Sequence, residues 1–149
     1  MSEKKYGYRE AAQSDFEFMY RVMVTVRSPH RTYNEQEERA KFAKNFKLEG
    51  LHVIEHGRQD VGRLRFLLND EHLYLGGIQI LPAFQRKGIG SAILFDLIRD
   101  AANLGVDVTL EVHTSNTDAQ RLYRKLGFVE VGQDPHCSAA IKMCYFTKR

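Results

Sequence analysis

Apolar positions along this chain switch several times between a two-residue and a three-to-four-residue period, and each switch marks a predicted element. Residues 5–11 alternate and run into Ser14-Asp15, which predicts a strand and then a helix start. Phe16, Met19, Tyr20, Met23 and Val24 follow at helical spacing, so the first helix turns an aromatic-rich face to a core. Ser28-Pro29-His30 breaks it, and Asn34 is placed to cap a second helix carrying Ala40, Phe42 and Phe46. The acidic run 35–38 suits the positive end of that helix's dipole. Residues 51–56 and 61–68 alternate on either side of 57–60 and predict a hairpin. Asn69-Asp70 supplies the next turn, and 73–81 continues the antiparallel meander. Gly76-Gly77 inside that strand marks a bulge, a close approach to the backbone, or loose packing by small residues.

The second half is as regular. Ile89, Ile93, Leu94, Leu97, Ile98 and Ala101 form a helical stripe ending at Gly105, a residue suited to the position after a helix. Residues 106–112 return as a strand which, after a crossover helix, should lie parallel to 73–81. Ala119, Leu122, Tyr123 and Leu126 share one face of a short helix over 117–126 that stops at Gly127. A last strand pair is expected at 128–131 and 139–146, across a loop at 132–138. No linker or repeat interrupts this order, so residues 1–149 are expected to form a single mixed α/β (α+β) domain. Its sheet should be mostly antiparallel, flanked by about four helices.

Composition narrows the chemistry. Hydrophobic residues at 43% and charged residues at 28% are ordinary globular values, which argues against disorder. A net charge of +3 is too small and too dispersed for a nucleic-acid binder, although it favours an anionic ligand. No apolar run approaches the ~18 residues of a membrane span, and the start lacks a leader-like apolar stretch, so a cytoplasmic protein is expected. Cys137 and Cys144 have no metal-ligand spacing and no matched His; they read as free thiols rather than nucleophiles, and no metal is expected.

The informative stretch is 81–91, Leu-Pro-Ala-Phe-Gln-Arg-Lys-Gly-Ile-Gly-Ser, which joins a strand to a helix. Glycines let the backbone approach a ligand, and the helix start adds unpaired amides and a positive dipole end; together they make an anion site suited to pyrophosphate. Three phosphate motifs compete. The P-loop spacing is absent around Gly88 and Gly90. The dinucleotide fingerprint needs a small residue where Ile93 stands. What remains is Gln-x-x-Gly-x-Gly, present as Gln85, Gly88 and Gly90. A second block, Asn-x-x-Ala-x-x-Leu-Tyr-x-x-x-Gly-Phe, follows as Asn116, Ala119, Leu122, Tyr123, Gly127 and Phe128. In order and spacing the two blocks resemble those of the GNAT N-acetyltransferase superfamily, especially ribosomal-protein alanine N-acetyltransferases.

That resemblance implies an enzyme that moves the acetyl group of acetyl-coenzyme A (acetyl-CoA) to a primary amine by direct attack on the thioester. It implies a parallel strand pair splayed to admit the pantetheine arm. The pyrophosphate would meet main-chain N–H groups of Arg86, Lys87, Gly88, Ile89, Gly90 and Ser91 after Gln85, with the Arg86 and Lys87 side chains near phosphate. Amides of Ile78, Gln79 and Ile80 would hold the pantetheine, one of them near Ile78 or Gln79 stabilising the oxyanion. Tyr123 stands where many members carry the general acid, and its plain alternative is a buried helix-face aromatic. Asn116 either touches the cofactor arm or caps the helix beside it. Glu111 matches a glutamate base, with His113 as a second candidate and a hydrogen-bonded strand carboxylate as the alternative. Residues 27–33 would wall the acceptor site. Left open are the acceptor, self-association as a homodimer, and a catalytically silent acyl-CoA-sensing domain as the alternative function.

Overall fold

The computed structural model describes residues 6–27, 31–134 and 137–147. Strand β1 (Tyr6–Glu10) leads through a short 3-10 turn to helices α1 (Phe16–Val26) and α2 (Glu35–Asn45). Strands β2 (Leu51–His56), β3 (Gln59–Leu68) and β4 (His72–Ile80) follow, then α3 (Ile89–Leu104), β5 (Asp107–His113), α4 (Thr117–Leu126), β6 (Val129–Asp134) and β7 (Cys137–Tyr145). The seven strands are hydrogen-bonded in the order β1-β2-β3-β4-β5-β7-β6. β4 and β5 run parallel, whereas β1–β2, β2–β3, β5–β7 and β6–β7 are antiparallel. The mixed, mostly antiparallel sheet with its parallel β4–β5 pair is thus the architecture the periodicity predicts.

Two boundaries differ from expectation. The β2–β3 turn is tighter, because β3 already begins at Gln59 and Gly57 takes a left-handed φ of 64°. A register shift between Ile54 and Glu55 absorbs the difference. The last strand pair is longer, with Gln133 and Asp134 paired to Ile141 and Cys137. β6 ends the strand order, and an edge strand can carry polar residues without an apolar alternation to report it. The expected helix break at 28–30 lies outside the described residues, as does the Cys137 side chain.

The chain divides into two compact units, one built from residues up to Arg65 together with Gly77–Ile89, the other from Phe66–Gly76 together with Gly90 onward. In the first, Met19 of α1 is buried with Leu51 and Val53, and Phe18, Phe42 and Phe46 pack against them. The Phe16 ring meets those of Phe42 and Phe46 at 5.4 and 5.2 Å. Arg9 ties β1 to the start of α1, its guanidinium bonding both oxygens of the buried Asp15 at 3.0 and 2.9 Å and Glu55 at 3.1 Å. Asp15 does not cap α1, because its carboxylate is taken by Arg9 and by the Ala12 N–H at 2.8 Å. The Arg9 guanidinium holds that carboxyl below its usual range. Asn34 does cap α2, accepting from the Glu37 N–H at 3.0 Å.

In the second unit Ile93, Leu94, Leu97, Ile98 and Ala101 of α3 are buried. Along β5, Val108, Leu110 and Val112 are buried while Glu111 and His113 are exposed, a strict two-residue alternation. Asn116 and Gly127 bracket α4: the Asn116 side chain accepts from the Ala119 N–H at 3.2 Å, and Gly127 ends the helix at φ 113°.

β3 and β4 approach each other closely at Gly62. A Cβ there would lie 2.3 Å from the Gln79 carbonyl oxygen and 3.2 Å from the Ile80 Cα, both backbone atoms that cannot swing aside. Gly62→Ala should therefore destabilise the protein by about 1–3 kcal/mol, the usual cost of forced overpacking. Urea unfolding of the purified variant reads this directly, and a variant as stable as its parent would mean the strands part without strain.

Candidate functional site

The segment between β4 and α3 is built to present backbone. A 3-10 turn at Pro82–Phe84 follows the strand, and the Gln85 amide donates from Nε2 to the Ile80 carbonyl at 2.9 Å, tying the loop to the end of β4. Gln85, Arg86, Lys87 and Gly88 are exposed, and Ile89 is buried at 2%. Arg86 is the one non-glycine among the described residues with positive φ, at 63°, and Gly88 follows at 79°. A bulky residue adopts this conformation at a cost, and such strain gathers where a backbone must point its amides at a ligand. Left-handed residues interleaved in a turn make a concave nest of N–H groups that suits an anion. Gly90 and Ser91 fall in the first turn of α3, whose leading amides have no partner within the helix.

The parallel ladder between β4 and β5 pairs His72 with Asp107 through Leu75 with Leu110. It ends immediately before Gly76-Gly77, although β4 runs on through Ile78 and Gln79 to Ile80. From Glu111 to His113, β5 continues its antiparallel pairing with β7, Glu111 standing opposite Lys142.

Tyr123 is 8% exposed, and its ring packs edge-on against Phe128 at 5.6 Å. Burial pushes its phenol up, so the hydroxyl holds its proton. Asn116 serves as a helix cap, one of its two expected roles. Glu111 is exposed, as is His113, whose Nδ1 lies 2.6 Å from the Ser115 hydroxyl. Gln120 is a residue sequence reasoning did not single out. It is buried, and its Nε2 donates to the carbonyls of His113 and Thr114 at 3.1 and 2.9 Å, fixing the turn between β5 and α4. Cys144 is a free thiol at 5% exposure whose pKa burial raises, a poor nucleophile. No cluster of metal-binding side chains occurs among the described residues. None of the described helices is long and apolar enough to cross a membrane.

The predicted residues thus fall into two sets. Ile78, Gln79, Ile80 and Gln85 to Ile89 belong to the first unit; Gly90, Ser91, Glu111, Asn116 and Tyr123 belong to the second. The first unit also holds a groove of about 800 Å³ lined by Phe18, Tyr20, Arg21 and Val24 of α1, Glu35 of α2, and Leu81 and Phe84. At its edge Glu35 accepts from Arg27 at 2.6 Å and from the Tyr20 hydroxyl at 2.8 Å, and the Arg27 guanidinium lies 4.1 Å from the centre of the Tyr33 ring. Those two contacts hold the Glu35 carboxyl below its usual range. Arg27 and Tyr33 thereby flank the α1–α2 connection expected to wall the acceptor site; 28–30 lie outside the described residues. Glu35, assigned on sequence only to the helix dipole, is a structural tie between the two helices.

A family model described as the acetyltransferase (GNAT) family matches residues 10–128. The chain belongs to this family. An N-alpha-acetyltransferase of Sulfurisphaera tokodaii is 34% identical over 99 residues, 58% of this chain and 58% of that protein. The N-alpha-acetyltransferase RimI of Mycobacterium tuberculosis is 49% identical over 55 residues, 37% of this chain and 34% of its own length. These matches span only a little over half and about a third of the two curated relatives. Among solved structures, the ribosomal-protein-S18-alanine N-acetyltransferase of Escherichia coli superposes with a TM-score of 0.66 at 23% identity, covering 97% of this chain and 95% of that one. That likeness establishes a shared GNAT fold. The family match bears out the GNAT resemblance stated from the motifs.

The left-handed backbone at Arg86 makes a testable demand of this GNAT loop. Alanine would keep the steric penalty and glycine would remove it, so Arg86→Gly should exceed Arg86→Ala in stability by about 1 kcal/mol, the reverse of the order at ordinary positions. Thermal unfolding of the two variants side by side decides it; a more stable Ala variant would place position 86 in an ordinary conformation.

Proposed function

We propose that this GNAT-family protein is an N-acetyltransferase that uses acetyl-CoA as donor and a primary amine as acceptor, residues 1–149 working as one domain. The observation that carries the proposal is the 85–91 loop, with left-handed backbone at Arg86 and Gly88 leading into a helix start inside the segment matched by the family. The residues fit a pyrophosphate: amides of Arg86 through Ser91 supply donors, Lys87 adds charge, and Gln85 holds the loop on β4. Beyond Leu75, β4 has no ladder with β5, which leaves amides of Ile78, Gln79 or Ile80 for the pantetheine and the oxyanion.

Acetyl-CoA supplies the activated acetyl thioester. Attack by a neutral amine forms the C–N bond, and collapse of the tetrahedral adduct breaks the C–S bond. Tyr123 donates its phenolic proton to the departing thiolate and regains one from solvent. The amine's surplus proton passes to Glu111 through water, a route suited to an exposed carboxylate. No covalent enzyme intermediate is needed. The names of the two curated relatives support the α-amine of a peptide as the first acceptor class to test.

The deciding experiment is thiol release from acetyl-CoA across a panel of peptides, amino acids and simple amines. Release that requires an amine supports the transferase; binding of coenzyme A without release from any amine leaves a silent sensing domain. Tyr123→Phe keeps the ring against Phe128 and should lower turnover by ~10²-fold with donor affinity nearly unchanged. Because burial raises the phenol's pKa, turnover should not fall through its ionisation until the pH exceeds its ordinary value of 10.0. Equal turnover in the two proteins would leave Tyr123 as packing alone. Gly90→Asp sets a carboxylate in the first turn of α3, where the pyrophosphate is expected, and should weaken coenzyme A binding by ~2–4 kcal/mol in calorimetry. A folded variant with parental affinity would remove the loop from the site.

A further inference from the structure

Burial of polar atoms without partners is rare, and Arg63 and Gln79 of the first unit each carry one. Arg63 of β3 has a buried Nε with no hydrogen-bond partner, and it forms no ion pair with any described residue. Its terminal nitrogen would lie 3.9 Å from a Cβ on Gly77, so the guanidinium reaches β4 at that residue. Two residues on, and therefore on the same face of that strand, Gln79 has a buried Oε1 that is also unpartnered. Arg63 stands opposite Val53 in the β2–β3 register, which puts it on the face where Met19, Phe18, Phe42 and Phe46 of α1 and α2 pack. Leu81, two residues beyond Gln79, lines the 800 Å³ groove beside α1.

An arginine stays charged even where burial and a neighbouring Arg65 push its pKa down. A guanidinium whose Nε is buried without a partner is costly, and the group that relieves the cost is a planar oxyanion able to take two parallel N–H bonds. The groove's own carboxylates are engaged elsewhere, Glu35 with Arg27 and Tyr20, Glu17 with Arg39, and Asp60 with Arg9. We propose that Arg63 is a carboxylate subsite that selects acceptors carrying an acid group beside the reacting amine. This rests on the transferase reading and names its substrate class. The carboxylate belongs either to a free amino acid or to an acidic side chain near a peptide N-terminus.

The test uses two matched pairs, alanine against alaninamide, and C-terminally amidated peptides that begin Ala-Glu or Ala-Gln. Both thiol-release kinetics and calorimetric affinity in the presence of coenzyme A are read. The parent protein should favour the acid of at least one pair by about 10-fold or more in kcat/KM or in Kd, as expected for a charge-assisted pair. A preference confined to the first pair identifies free amino acids; one confined to the second identifies acidic peptides. Arg63→Met should abolish the preference while leaving the neutral acceptor unchanged, and Arg63→Lys should restore part of it. Since the guanidinium has no partner to lose, Arg63→Met should also unfold at the parent's temperature or above. Equal handling of acid and amide in both measurements, a preference that survives in Arg63→Met, or a marked loss of stability in that variant would each overturn the subsite. Thiol release from no amine at all would instead remove the transferase, and the calorimetric comparison would still decide on Arg63.

Discussion

β4 loses its neighbour half-way along. Main-chain N–H and C=O groups must find partners, and a strand whose ladder stops at Leu75 while its backbone continues to Ile80 has none from β5 along that stretch. Such an edge inside a protein either attracts another strand or belongs to a ligand. Here it is followed at once by a loop whose own backbone is bent into left-handed turns, so consecutive stretches of one chain offer amides first in extended and then in concave form. An elongated ligand with an amide-bearing arm and an anionic end matches that sequence of donors. Much else serves to hold the strand in place: Gly62 lets β3 lie close against it, and Gln85 fastens the loop to its last carbonyl.

Most of this was legible in the residues. The elements follow from period: α3 and β5 could be read to within a residue because their buried faces are complete stripes. The parallel β4–β5 pair followed from the helix between two strands, and the caps of α2 and α4 from Asn34, Asn116 and Gly127. The loop was legible because only particular residues tolerate its backbone. Gly88 has the φ that glycine accommodates without penalty, and Ile93, fully buried, fills the space a dinucleotide motif keeps clear.

What escaped were interactions that no period or spacing encodes. Glu35 looked like a dipole-compensating residue, yet it joins Arg27 and Tyr20 across the α1–α2 connection. Asp15 looked like a helix cap, yet it belongs to Arg9. Gln120 lay unremarked inside a motif, although it pins the β5–α4 turn. Each depends on where a long polar side chain ends, and that is set by tertiary contacts between residues distant in sequence. Arg63 is the extreme case, for its meaning comes from partners it lacks.

Tyr123 and Glu111, the two side chains assigned to proton transfer, sit in opposite environments, and those environments suit opposite tasks. Burial keeps the Tyr123 phenol protonated at ordinary pH, the state from which a general acid starts. Glu111 stands on the exposed side of a strand whose alternate residues are buried, where water can carry a proton to it. Burial keeps one group protonated and exposure leaves the other open to exchange with water, the difference in environment that an acid and a base need. The strict alternation along β5 and the apolar face of α4 therefore do more than build a core: they set the exposure of the two groups that the proposed mechanism uses.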